Sequence, residues 1–74
     1  MPNLRVVAYI VEVKRGVRLG IETAREIARK AEALQVRSGV SIRTALVHAG
    51  RLTRELSSSD AIDVFVPVEK LLAL

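Results

Sequence analysis

The stretch from Leu4 to Lys14 constrains this chain most, because any strand it forms is apolar on both faces. Four valines and one isoleucine in eleven positions favour a strand over a helix. Val7, Tyr9, Val11 and Val13 share one face, and Leu4, Val6, Ala8 and Ile10 share the other. A strand without a polar side has to be covered on both. Leu4 to Val13 contains Arg5 and Glu12 and falls far short of the roughly 20 residues of a membrane span, so it reads neither as a span nor as a targeting segment. Arg15-Gly16 is a turn signal, with Val17-Arg18-Leu19 returning as a short hairpin arm.

Helical spacing follows. Thr23-Ala24-Arg25-Glu26 has the form of a capping box. Ile21, Ala24, Ile27, Ala28, Ala31 and Leu34 fall on one stripe, with Glu22/Arg25 and Glu26/Lys30 pairs on the opposite face. Gly39 marks the stop. Ser41 then caps an expected second helix with a stripe of Ile42, Ala45, Leu46, Ala49, Leu52 and Leu56, weakened at Gly50. Thr53 caps a separate short turn if Gly50 breaks that helix. After the polar run Ser57–Asp60, residues 61–66 read as a second strand that Pro67 ends or confines to an edge. Val68 to Leu74 is a short amphipathic turn. The expected fold is one α+β domain over residues 1–74, strand–helix–helix–strand: a β-rich segment 1–20, a helical pair 21–57, and an acidic strand and turn 58–74.

Half of the 74 residues are apolar, almost all aliphatic, and the mean hydropathy is +0.29. A domain of 8.1 kDa keeps on the order of 4,500 Å² exposed and hides only about 60% of the surface of its unfolded chain. That is more aliphatic surface than a lone copy can hide. A long unpaired aliphatic edge is also an aggregation hazard. The expected working form is therefore a homo-oligomer, pairing or stacking its sheets through Val7, Tyr9, Val11 and Val13 and through the apolar terminus Leu71, Leu72 and Leu74.

Charge is segregated. Residues 14–54 hold ten bases against three acids, a net +7, whereas residues 55–74 hold four acids against Lys70, a net −3. Nine of the twelve bases are arginine, whose planar fork suits phosphate and carboxylate alike. Arginine over lysine in so aliphatic a chain also fits a heat-tolerant source. On the second helix Arg43, Arg51 and Arg54 form an acid-free face. With Arg37, Lys14, Arg15 and Arg18 they are the candidate contacts to a polyanion, most simply a nucleic acid. The basic body docking onto the acidic segment of a neighbour is the competing reading.

Catalytic chemistry finds little support. With no cysteine there is neither a thiol nucleophile nor a disulfide framework. His48, expected on the solvent side of the second helix, has no companion ligands for a metal. The Ser57–Ser59 run has no base to activate it, and Gly16 and Gly20 lack the rest of a phosphate-binding loop. Asp60 is expected to cap the turn that follows the serines. Tyr9 and Phe65 are too few to stack bases and are expected in the core. The expectation is a non-enzyme, with no cofactor and no small-molecule substrate.

Two families share parts of this pattern. Gly20-Ile21-Glu22-x-Ala24, Ile27-Ala28-x-Lys30-Ala31, Ser41-Ile42-Arg43, Gly50-x-Leu52-Thr53-x-Glu55 and Val66-Pro67-x-Glu69-Lys70-Leu71-Leu72 run collinearly. Together they resemble the small C-terminal domain of the fumarase/aspartase family. Residues 1–14 have no counterpart there, the step from Ala31 to Ser41 is about a turn longer, and Val68 separates Pro67 from Glu69. Nothing in the 74 residues matches that family's Ser-rich catalytic loop, so the resemblance implies a free-standing relative without the activity. A strand followed by helices joined at Ser38-Gly39-Val40-Ser41 is similar to ribbon–helix–helix repressors, and Ser41 through Gly50 to Ser57 resembles a helix–turn–helix reader. There Leu46 stands where a small residue is usual, and the aliphatic strand lacks base-reading side chains. These likenesses imply dimerisation through the strand and contact with the DNA backbone. The combined expectation is a self-assembling basic protein, either an architectural DNA binder or a coat subunit, located in the cytoplasm or a virion. An adaptor between proteins is the alternative.

Overall fold

The computed structural model describes residues 7–72. Strand β1 (Val7–Leu19) leads into helix α1 (Ile21–Ser38), strand β2 (Ser41–Leu52), a single turn α2 (Arg54–Ser57), strand β3 (Val64–Pro67) and a last turn α3 (Val68–Leu72). The three strands form one parallel sheet in the order β1-β2-β3. The architecture is mixed α/β rather than the expected strand–helix–helix–strand.

The largest departure lies between Ser41 and Leu52, expected as helix and found as the central strand. Ile42, Ala45, Leu46 and Ala49 do fit a helical stripe. The same segment also alternates as a strand, with Thr44 and Leu46 on one face and Ala45 and Val47 on the other. A strand flanked on both edges is apolar on both sides, so its period is masked. Its tertiary setting decides: β2 is hydrogen-bonded to β1 along its whole length and to β3 at its centre. The helical pair implied by both family resemblances is therefore absent from the described residues. The expected hairpin arm is absent too, since Val17, Arg18 and Leu19 continue β1.

Other local signals hold. Gly39 ends α1 in the left-handed conformation at φ 71°, its N–H donating to the Gln35 carbonyl. Thr53 caps α2, its hydroxyl accepting from the Leu56 N–H at 3.2 Å. Pro67 closes the edge strand β3, and α3 follows it. The capping box is not used. Helix α1 begins two residues before Thr23, with Gly20 as N-cap and no side-chain cap, and Glu26 is drawn instead to Lys14 and Lys30.

The core lies on one side of the sheet. Leu19, Ala24, Ile27, Leu46, Leu56 and Ile62 are buried together, with Ile21, Leu52, Ala61 and Phe65 packed against them. Beside them Thr44 is a buried polar residue with every group satisfied. Its hydroxyl donates to the Ala61 carbonyl at 2.6 Å and accepts from the Asp63 N–H, while its own N–H donates to the Asp63 carboxylate at 2.8 Å. This clamp fixes where the chain turns into β3. Thr44→Val should destabilise the fold by about 1–3 kcal/mol by stranding the Ala61 carbonyl, while the Asp63 N–H keeps its bond to the Thr44 backbone carbonyl; urea unfolding measures it. An unchanged midpoint would contradict that role.

Between Arg15 and Arg18 the register of β1 against β2 shifts. Gly50, at φ 117°, sits so close that a Cβ there would fall 1.7 Å from the Gly16 carbonyl oxygen. The bulge reverses the alternation of β1, so that Leu19 turns into the core and Arg18 faces the other way. Gly50→Ala should cost about 1–3 kcal/mol in backbone strain alone, before the clash is relieved by moving β1. Thermal melting would show it, and a variant as stable as the parent would refute the close approach.

Candidate anion-binding edge

The sequence proposes seven basic contacts, and the fold divides them. Arg18 and Arg51 are cross-strand partners on β1 and β2, beyond the bulge. Arg54 opens α2 immediately after the N-cap Thr53. With Val17, Leu52 and Thr53 these three arginines line one concave surface of about 350 Å³. All three are exposed, and none engages in an ion pair among the described residues. Like charges placed directly opposite across strands repel. A bound anion relieves that repulsion.

The surface sits at the C-terminal edge of the parallel strands. Local backbone holds it there. The Thr53 N–H donates to the Leu19 carbonyl at 2.8 Å, joining the end of β2 to the end of β1 and bringing Arg54 back beside Arg18.

Arg43 is not part of this group. It lies eight residues upstream of Arg51 on the same strand, about 26 Å away, and pairs with Asp63 at 3.7 Å. The expected face of Arg43, Arg51 and Arg54 is thus replaced by Arg18, Arg51 and Arg54. Arg37 lies in the last turn of α1, next to the start of β2 and remote from the group. Arg15 borders a separate hollow of about 270 Å³ with Val13, Val47 and Val68. Lys14 is engaged elsewhere, 3.3 Å from Glu26.

That last contact belongs to a network joining β1 to α1: Lys30 lies 2.7 Å from Glu12 and 3.4 Å from Glu26. The Lys14 and Lys30 ammonium groups hold the Glu26 carboxyl below the usual glutamate range. Glu12, and then Glu26, raise Lys30 above the usual lysine range. His48 is half-buried on β2, its Nδ1 3.2 Å from the Gly50 carbonyl oxygen. Among the described residues no group of three His, Cys, Asp or Glu side chains is placed to hold a metal, and no helix is long and apolar enough to cross a membrane.

The residues expected to mediate self-association divide as well. Tyr9 is 58% exposed, Val11 60% and Val13 67%. The expectation that Tyr9 lies in the core is corrected, because no element of the described chain covers its side of β1; Phe65 does pack against the core. Val7, Leu71 and Leu72 are exposed, and Leu74, like Leu4 and Val6, lies outside the described residues. No family model matches this chain, and neither a curated protein nor a solved structure matches it.

The network makes a pH prediction. A carboxyl depressed in the folded state stabilises the fold above its ordinary pKa, and that contribution is lost as pH falls through the depressed value. A raised lysine stabilises below its ordinary pKa, and that contribution is lost as pH rises through the raised value. Glu26→Gln should therefore flatten the acid limb of a plot of melting temperature against pH. An acid limb identical to the parent's would show that the pairs add nothing.

Proposed function

We propose that this protein is a non-enzymatic, self-assembling subunit that binds nucleic acid through its phosphate backbone, in an architectural or coat role. The observation that carries the reading is the convergence of Arg18, Arg51 and Arg54 around one concave edge, with no acidic partner among the described residues. Arginine forks match phosphate oxygens in pairs, and such contacts need no base-reading side chains. Arg15 lies on the same strand as Arg18 and extends the basic surface. Lys14 and Arg43, held by Glu26 and Asp63, serve the fold rather than the ligand. Self-assembly is the second half of the reading, supported by the exposed aliphatic side of the sheet at Val7, Tyr9, Val11 and Val13.

Titrating a fluorescent DNA duplex and a single-stranded RNA at increasing salt tests the first half. Binding should weaken steeply with salt. The triple variant Arg18→Gln, Arg51→Gln, Arg54→Gln should lower the slope of log affinity against log salt on the duplex by about 2.7, for three lost phosphate contacts. No binding at low salt, or an unchanged slope in a folded triple variant, rejects it. Loss of self-association in that variant without any nucleic-acid effect would instead favour an adaptor that docks acidic segments.

A further inference from the structure

The uncovered side of the sheet is built as an interface. Cross-strand register places Val11, Ala45 and Val64 in one row, and Val13, Val47 and Val66 in the next. Both rows face away from the core. Val11, Val13 and Val64 are 60%, 67% and 41% exposed, whereas Val47, beside Val68, is already buried. Charge is confined to the two ends of this face. Arg43 stands at one end, held by Asp63, and Arg15, next to the Val13 row, stands with the Arg18/Arg51 pair at the other. Parallel sheets are covered on both faces, and the described chain covers this one only near Val68.

We infer that a second copy of this chain stacks its valine rows on this face, sheet against sheet about 10 Å apart. The inference rests on the self-assembly half of the proposed function and specifies its surface. Two observations select a copy as the occupant. The molecule is a slab 17 Å thin, one sheet and one helical layer, and a two-fold mate buries the bare layer of both copies at once. The central rows carry no charge, so opposed copies meet apolar against apolar with their arginines at the rim.

The test uses the full chain, whose lack of cysteine makes an introduced thiol unique. Light scattering over a concentration series should give a dimer for the parent. Val13→Lys and Val13→Asp should each be monomeric, with a parent-like circular dichroism spectrum, and mixing the two should restore the dimer. Val11→Cys, a milder change, should alkylate at least ten-fold more slowly at dimer concentrations than after dilution. A parent that is monomeric at high concentration overturns both this inference and the self-assembly reading. A parent dimer whose Val13 variants remain dimeric, or whose thiol introduced at position 11 reacts at one rate at all concentrations, overturns the stacked arrangement alone and leaves pairing through the β1 edge.

Discussion

The order β1-β2-β3 in an all-parallel sheet governs everything else in this structure. Each parallel step needs a crossover, and crossovers are right-handed. Two right-handed steps in the same direction across a sheet bring both connections over the same face. Helix α1 and turn α2 accordingly pack together over one side, where Leu46, Ile27 and Leu56 are fully buried. Larger parallel folds cover their second face by reversing direction. With three strands there is no reversal, and on the second face Val47 is sheltered beside α3 while Val11, Val13 and Val64 stay exposed.

The same geometry positions the arginines. Parallel strands put all their C-terminal ends at one edge, so residues far apart in sequence gather there. The bulge at Gly16 and Gly50 then decides which side chains face which way. Without it, Leu19 would point to the bare face and Arg18 into the core. One tight backbone contact between two glycines thus sets the end of the core and the start of the basic edge. Charge contributes at the other seam as well. Beside α1, strand β1 presents Glu12 and Lys14 next to Ile10, and the helix answers the charges with Lys30 and Glu26.

How much of this was legible in the sequence follows physical lines. Strand β1 was readable because valine and isoleucine dominate it, and α1 because its stripe is regular and Gly39 ends it. Thr53 and Pro67 announced α2 and α3 through their own backbone chemistry. Strand β2 was not readable, since Ile42 to Ala49 carries apolar residues on both sides and satisfies either period. That single misreading displaced the rest. It turned a βαβ unit into a helical pair, drew Arg43 into a cluster with Arg51 and Arg54, and hid the cross-strand partnership of Arg18. A signal was present all the same. Gly16 and Gly50 each follow a largely aliphatic run and each precede an Arg-Leu step, as the two ends of neighbouring strands would. The need to cover both faces of β1 was legible from its composition. Which face the chain itself covers depended on topology, and topology depended on β2.

The central claim is that the bare sheet face is completed by the same face of another molecule. Isotope-filtered nuclear Overhauser spectroscopy on a mixture of labelled and unlabelled chains observes that contact directly. The account predicts intermolecular signals joining the methyl groups of Val11, Val13 and Val64 to aliphatic side chains of the other copy. Signals that arise only within one molecule, or methyl groups exposed to water at every concentration, would contradict it.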